Sequence, residues 1–404
     1  MAYSARRIKI EPLSKSMKFD LIVVGAGPAG SMAAKTAASS GLKVALLEKR
    51  QEIGCPVRCA GGVSKWHLSR MIKTDPAWID AEVKGARVYS PDCSNITISE
   101  NQVPDEVGYI LDRKIFDRAL ALEAAEKGAE IFVKTSAIGL LKEDGVPCGV
   151  FARCSGDLLK LKAPLIIGAD GIESKVGRWA GIDTTIKPMD IEVCVQFLIR
   201  DDNIDKDYCE FYLGNAIAPG GYVWSLPRGE NLANVGVCAQ GSRHSPGMAM
   251  KLLNDFIKSR MPEAKIIDVV AGGVPATGRI RTAISDGVML VGDAARQSDP
   301  LTYAGIINGM RAGMMAGEVA VKARDNAGRD ALKNYEDLWR STIGKEIARN
   351  YLVKAFFTRL DDSDLNSIIR SLGDKYTSKA DFSSLVRMVF KLNPRIFLKA
   401  RYAL

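Results

Sequence analysis

Residues 19–49 read FDLIVVGAGPAGSMAAKTAASSGLKVALLEK, and this stretch decides the fold. It opens on an unbroken apolar run, Leu21, Ile22, Val23 and Val24, which predicts a strand buried on both faces. Gly25, Gly27 and Gly30 follow in the spacing G-x-G-x-x-G. Each answers a different demand: a tight turn, close approach of backbone to a pyrophosphate, and close packing of helix on strand. Ala34 and Ala37 then face the sheet at helical spacing, Gly41 ends the helix, and residues 44–47 supply a second strand. Glu48 closes that strand 18 residues beyond Gly30, where a carboxylate can take both hydroxyls of an adenosine ribose. A glycine-rich turn in an ordinary βαβ unit would not explain Glu48. Together these features predict a Rossmann-like dinucleotide-binding unit in an α/β protein.

At 404 residues the chain is long for one domain, so two or three with a large core are expected. No apolar run reaches the roughly 18 residues that span a bilayer, and no signal peptide precedes the first strand. A cytoplasmic protein is expected. The cysteines (55, 59, 93, 148, 154, 194, 209 and 238) lack the paired C-x-x-C clusters of a zinc site, so no metal is expected and the thiols are expected to be reduced. The net charge of +9 sits at the ends: residues 1–18 carry +4, residues 331–404 carry +6, and residues 19–330 are near neutral at −1. Basic extremities on a neutral body suit an anionic surface, either acidic lipid headgroups at the inner face of a membrane or an acidic protein. A solvated, soluble surface accounts for them equally well. Nucleic acid would need an aromatic-interleaved basic module, and none is visible.

Outward from the fingerprint, the loop KRQEIGCPVRCAGGVS begins where the second strand ends. Ligands of open α/β sheets bind outside the carboxyl ends of strands, which places this loop over the cofactor. Its Cys55 and Cys59 have three residues between them; a redox disulfide, a proton-donating thiol and ordinary buried small residues are all open readings. Segment 107–125 carries Ile115, Ala119 and Leu122 at helical spacing, with Asp112 as a cap and Arg113 within reach of a phosphate or flavin edge. At 165–181, LIIGADGIESKVGRWAG runs from a strand into Asp170, which can hold a ribose or ribityl hydroxyl. Residues 188–275 alternate as strands of a mostly antiparallel sheet, with Tyr222, Trp224 and Leu226 on one face and Val223 and Ser225 on the other. That aromatic face is either core or the wall of a large apolar pocket. Finally, 287–313 (GVMLVGDAARQSDPLTYAGIINGMRAG) takes a buried strand into Asp293, then through Gly305 and Ile306 into a helix whose N-terminal amides would point at the cofactor.

The expected organisation is discontinuous. A dinucleotide-binding domain takes 17–82, 106–185 and 276–330, and an inserted antiparallel-sheet substrate domain takes 83–105 and 186–275. A helical C-terminal region follows at 331–404, its last stretch a basic amphipathic segment that could lie on a membrane or dock on its own domain. Residues 1–16, ahead of Met17, read either as a disordered basic tail or as the product of a start codon assigned too early, and no function is assigned to them.

GAGPAG with Glu48, GADG at 168–171 and GDAA at 292–295, in this order, resemble the FAD-dependent para-hydroxybenzoate hydroxylase-like flavoproteins. Within that superfamily the chain is similar to the archaeal geranylgeranyl reductases. The residues that carry the likeness are PVRCAGG at 56–62, EVGYILDR at 106–113, ESKVGRWAG at 173–181, EFYLG at 210–214, and Tyr222-Val-Trp224-Ser-Leu226-Pro227 followed by Gly236. The resemblance departs at Leu226 where Phe is usual, at Cys238 in place of a second glycine, and at Tyr303-Ala304 where Gly-Gly is common. It implies FAD held by Ala29, Gly30, Glu48, Cys59, Ala60, Gly62, Arg113, Ala137, Asp293, Gly305 and Ile306, and Lys49 is counted with Gly25, Gly27 and Asp170 in the same set. It also implies a prenyl cavity at Tyr222, Trp224, Leu226, Pro227 and Gly236, with Cys59 near the flavin as the candidate catalytic thiol.

The function so implied is saturation of C=C bonds in geranylgeranyl chains of archaeal membrane-lipid precursors. The substrate is then a polyprenyl ether lipid. With one dinucleotide fingerprint visible, electrons would come from a small acidic carrier such as ferredoxin or from another external donor. An FAD monooxygenase on an aromatic or prenyl-quinone substrate, a disulfide oxidoreductase using Cys55 and Cys59, and a non-catalytic lipid-binding flavoprotein remain as alternatives.

Overall fold

The computed structural model describes residues 17–99 and 108–373, so the expected N-terminal tail and the basic segment at the C-terminal end lie outside the described residues. The chain divides into two compact units, one from Met1–Pro56, Arg113–Ile186 and Thr277–Ala348, the other from Val57–Asp112, Lys187–Ala276 and Arg349–Leu404.

The first unit is built on a six-stranded sheet in the order Ile284–Ser285, Val288–Leu290, Leu165–Gly168, Leu21–Val24, Val44–Leu47 and Glu130–Phe132. All its pairings are parallel except the antiparallel edge at Ile284–Ser285. The four-residue apolar runs at 21–24, 44–47 and 165–168 are buried at every position, because helices cover both faces of a parallel sheet. Each fully buried Leu, Ile or Val there contributes about 1.5–3 kcal/mol. Helices Pro28–Ser39 and Ile306–Lys322 approach each other unusually closely along Gly309, Gly313 and Gly317. A Cβ on Gly313 would lie 2.1 Å from the Ala29 carbonyl oxygen, and one on Gly317 would lie 2.8 Å from that of Ala33.

A smaller sheet of the same unit joins Thr135–Glu143, Val146–Cys154 and Asp157–Lys162 through two-residue turns, Asp144-Gly145 and Ser155-Gly156. All four turn residues have positive φ, the conformation of tight hairpin turns. Helix Arg113–Glu126 corrects the expectation for its buried face. Phe116, Leu120 and Ala124 are buried, whereas Ile115 and Leu122 are 43% and 45% exposed. Both sets have helical spacing, and only the packing against neighbouring elements selects between them.

The second unit carries a seven-stranded sheet in the order Lys265–Pro275, Ile191–Arg200, Leu232–Gln240, Tyr222–Pro227, Tyr208–Tyr212, Gly85–Tyr89 and Asn95–Ser99. It is antiparallel except where Tyr208–Tyr212 meets Gly85–Tyr89. One face, with Val195, Phe197, Val223, Val235 and Val237, is sealed by Leu253 and Phe256 of helix Met248–Arg260.

Residues 57–82 and 108–112 were expected with the cofactor domain and instead lie in this second unit. The physical reason is strand pairing: Gly62–Ser64 and Ile79–Glu82 both pair with Gly108–Leu111. The C-terminal region is helical over Arg329–Ser341, Ile343–Phe357 and Asp362–Gly373, yet it is shared between units. Ile343 and Ile347 join the first core, while Leu365, Ile368 and Ile369 pack with Ile96 in the second unit. There Lys354, 3% exposed, lies 2.8 Å from Glu192 and donates to the Ala276 carbonyl at 2.8 Å. Among the described residues no helix is long and apolar enough to cross a membrane.

Candidate functional site

The three fingerprint glycines occupy three different environments. Gly25 has φ +108°, and a Cβ on it would lie 2.3 Å from the Ala169 oxygen. A Cβ on Gly30 would meet the Gly25 oxygen at 1.9 Å, so the helix can cross the strand only without one. Gly27 has nothing within 4 Å of its would-be Cβ. Its backbone faces open space at the start of a helix that no side chain caps, an arrangement suited to a pyrophosphate. At the end of the neighbouring strand, Glu48 accepts from the amides of Ala26 (3.2 Å) and Arg50 (2.8 Å). These bonds orient the carboxylate and leave it lone pairs for ribose hydroxyls. Lys49 is paired with Glu173 at 3.3 Å, both about half exposed. Thr135 donates its amide to the Glu48 carbonyl at 2.8 Å, which sets Ala137 two residues further along the adjoining strand.

Two half-buried carboxylates lie in the turns that follow other strands of this sheet. Asp170 accepts from the Val176 amide through Oδ2 at 3.0 Å, while its buried Oδ1 has no partner, so an acceptor stands ready for a ligand hydroxyl. Burial raises its pKa. Asp293 keeps part of its surface open but is crowded by protein, and burial lifts its carboxyl to about 6 against the opposing pull of Arg113. Arg113 in turn grips Asp117 with two bonds of 2.9 Å each. Gly305, which precedes helix Ile306–Lys322, brings its backbone beside Asp293: a Cβ there would lie 3.4 Å from Oδ1. Tyr303 takes φ +60°, which explains why glycine suits that position. An orphaned acceptor, an open backbone cradle and oriented carboxylates at strand ends fit a dinucleotide such as FAD.

Sequence reasoning missed the groups that hold the Asp293 turn. Gln297 is wholly buried, accepts from the Gly292 amide at 2.7 Å and donates to the Tyr335 hydroxyl at 3.0 Å. Tyr335 donates to the Leu290 carbonyl at 2.6 Å, and Ser174 donates to the Ala294 carbonyl at 3.0 Å. Polar residues inside otherwise apolar helical and turn segments were the signal that could have found them.

The raised carboxyl of Asp293 makes stability and FAD binding depend on pH. An unfolded aspartate titrates near 4. Between about 4 and 6 the folded apoprotein therefore holds a proton that the unfolded chain has released, so stability falls as pH rises through that window. A ligand hydroxyl donated to the carboxylate favours the charged form, so FAD should bind more tightly as pH rises to about 6 and level off above it. Flavin fluorescence titrations across this range should show the trend in the wild type and lose it in Asp293→Asn.

In the second unit Tyr222, Trp224 and Leu226 lie on the sheet face opposite helix Met248–Arg260, directly across from Cys238, Gly236 and Asn234. Phe211 joins them across from Trp224. The Trp224 ring lies over Gly236, where a Cβ would fall 2.2 Å from Cζ2, and its Nε1 donates to Gln196 Oε1 at 3.3 Å. Pro227, assigned to the same cavity by resemblance, falls on the other face opposite Ala233, because side chains alternate along a strand. The loop at 57–62 rests on the aromatic face. Asn234 donates to the Ala60 carbonyl at 3.0 Å, and a Cβ on Gly62 would meet Leu226 at 3.7 Å. Within this loop the Gly61 amide donates to Cys59 Sγ at 3.4 Å. Cys59 and the three aromatics thus belong to one side of one sheet.

On that side too, the expectation of reduced cysteines fails for one pair: Cys194 and Cys238 form a disulfide. They are directly opposed on neighbouring antiparallel strands with Cα atoms 4.3 Å apart, a juxtaposition created by register across 44 residues of sequence. Cys55 and Cys59 are free, as are Cys93, Cys148, Cys154 and Cys209. Alkylation of the unfolded protein should label six cysteines before reduction and eight after it. Eight labelled before reduction would refute the bridge.

Comparison with known proteins agrees with this geometry. A family model described as geranylgeranyl reductase catalytic domain matches residues 190–274, and one described as FAD dependent oxidoreductase matches 20–208. The chain is 58% identical to digeranylgeranylglycerophospholipid reductase of Methanothrix thermoacetophila over 96% of its own length and 99% of the relative. It is 53% identical to digeranylgeranylglycerophospholipid reductase 2 of Methanococcoides burtonii over 95% of each. The crystal structure of a geranylgeranyl bacteriochlorophyll reductase-like protein from Thermoplasma acidophilum superposes with TM-score 0.91 at 35% identity, covering 96% of this chain and 100% of that one. The flavin-dependent brominase Bmp2, at 18% identity and TM-score 0.70, shares the fold. On these grounds the chain belongs to the digeranylgeranylglycerophospholipid reductase family of FAD-dependent oxidoreductases.

Proposed function

We propose that this protein saturates the isolated C=C bonds of geranylgeranyl chains in a membrane ether-lipid precursor. The observation that carries the reading is the polar bookkeeping of the aromatic face. Gln196 is engaged by Trp224, Asn234 by Ala60, Gln240 by the Met189 carbonyl, and Glu192 by Lys354. The other side chains on that face are those of Tyr222, Trp224, Phe211 and Leu226, with Trp224 and Leu226 buried and Tyr222 and Phe211 part-exposed, a lining suited to an alkene that has no carbonyl to polarise. Reduced FAD, held by Gly27, Glu48, Asp170 and Asp293, supplies the hydride when bound. Tyr222 and Trp224 position the chain, keep water from it and offer π-faces to a carbon that gains positive charge.

The second alkene carbon needs a proton, and Cys59 is the donor we assign, its thiolate then recovering a proton from water. Cys59→Ser should leave FAD bound and lower turnover about 100-fold or more, as loss of a general acid does. Wild-type turnover in that variant would remove Cys59 from the mechanism. Electrons reach the flavin from a small acidic carrier such as ferredoxin, favoured by the net charge of +9, which also favours an anionic membrane surface.

The test is anaerobic. Protein reduced with light or dithionite is mixed with digeranylgeranylglyceryl phosphate while flavin absorbance and product mass are followed. Flavin reoxidation with mass gains in steps of two hydrogens is expected. Flavin that stays reduced until oxygen is admitted would sink the reading and favour a monooxygenase.

A further inference from the structure

We propose that Arg58 is the anchor for the anionic headgroup of the prenyl lipid, an inference that rests on the reading above. Arg58 is exposed in the loop at 57–62, immediately before Cys59. Among the described residues its guanidinium has no ion pair and no hydrogen bond. Its stem is nonetheless placed. A Cβ on Gly272 would meet Arg58 Cδ at 3.7 Å and Cβ at 3.8 Å, so the aliphatic part lies over the edge strand Lys265–Pro275 where that strand has no side chain.

The register puts this position in one row with the aromatic face. Gly272 opposes Cys194, Cys194 opposes Cys238, and Cys238 opposes Tyr222. Gly272 and Tyr222 are therefore three strand spacings apart on the same side of the sheet, about 14 Å. An amphiphile with its head at Arg58 would run its chain across the sheet toward Tyr222 and Trp224. On that same face of the edge strand Val270, opposite Gln196, sits two residues from Gly272, so the cation stands beside an apolar side chain, the pairing a charged lipid head with a prenyl tail requires. A planar guanidinium with several free donors matches a phosphate monoester, and a lone arginine on a tethered loop gives the orientation that the row of residues demands.

The test compares digeranylgeranylglyceryl phosphate with uncharged digeranylgeranylglycerol in wild type, Arg58→Gln and Arg58→Lys, each loaded with FAD. Arg58→Gln should raise KM for the phosphate about 10- to 100-fold with kcat within about twofold, and leave KM for the alcohol unchanged. Arg58→Lys should recover part of the loss, and inorganic phosphate at the same concentration should not compete. An unchanged KM for the phosphate, equal losses on both lipids, or inorganic phosphate competing as tightly as the lipid would overturn the assignment. If wild-type flavin is reoxidised by neither lipid, the reductase reading fails instead. Binding of the two lipids to the oxidised holoprotein, read by tryptophan fluorescence, still decides Arg58: a wild-type preference for the phosphate that Arg58→Gln abolishes supports it, and equal binding refutes it.

Discussion

Gly236→Ala is expected to abolish most prenyl reduction while leaving FAD bound and the protein folded. The added methyl would sit 2.2 Å from Cζ2, 2.6 Å from Cε2 and 2.8 Å from Cη2 of Trp224, contacts that no side-chain packing tolerates. The ring cannot simply turn aside, because its Nε1 is held by Gln196 and its strand is paired on both edges. Either the indole leaves its place or the two strands part, at about 1–3 kcal/mol of overpacking. The reaction depends on the alkene resting at a fixed height on that ring, and a displacement of about 1 Å costs on the order of 100-fold in rate. The expected result is a loss of about that size in kcat/KM with an unaltered flavin spectrum, since Gly236 belongs to the second unit. Wild-type reoxidation of reduced flavin by the prenyl lipid in Gly236→Ala would disprove the role given to Trp224.

A second large effect separates two glycines of the first unit whose replacement by alanine weakens FAD binding by different routes. Gly27→Ala adds a methyl to open space in extended backbone, so the apoprotein should lose less than about 1 kcal/mol. The methyl stands where the pyrophosphate must approach, and FAD affinity should fall about 10- to 100-fold through lost charge-assisted bonds. Gly313→Ala acts by another route. Its methyl meets the Ala29 oxygen at 2.1 Å, the Ala29 carbon at 3.1 Å and the Ala33 nitrogen at 3.2 Å, all backbone atoms that cannot swing away. The helix pair must separate, and the apoprotein should lose about 3 kcal/mol. FAD binding then weakens as a consequence, and excess FAD should restore stability by mass action in Gly313→Ala. Denaturant unfolding of the two apoproteins, beside flavin titrations of each, gives the contrast. An apoprotein as stable in Gly313→Ala as in the wild type would refute the close-packing account.

Much of the cofactor-binding unit was legible because its signals are short-range. Buried parallel strands are continuous apolar runs at 21–24, 44–47 and 165–168, and the residues a dinucleotide needs follow each run within a few positions. Alternation likewise placed Tyr222, Trp224 and Leu226 together on one side of a strand. It also shows why Pro227 does not join them. The hairpin turns at Asp144-Gly145 and Ser155-Gly156 carry an equally local signal, paired residues suited to positive φ.

Other features required partners distant in sequence. Helix 113–126 offers two stripes of helical spacing, and only the elements it meets made Phe116 rather than Ile115 the buried one. Gly309, Gly313 and Gly317 have meaning only against Ala29 and Ala33, nearly three hundred residues earlier. The hydrogen bonds from Tyr335 and Gln297 beneath the Asp293 turn, and the placing of residues 57–62 on the second unit's sheet, belong to the same class.

The α/β class, the dinucleotide cradle and the acids that close its strands follow from short segments read alone, since each is set by backbone conformation and side-chain alternation within a window of a few residues. Tertiary structure alone decided that Cys194 bonds Cys238, that Trp224 lies on Gly236, and that Arg58 reaches Gly272. Register between strands and contact between elements are fixed by the packing of the whole chain, and no single segment encodes them.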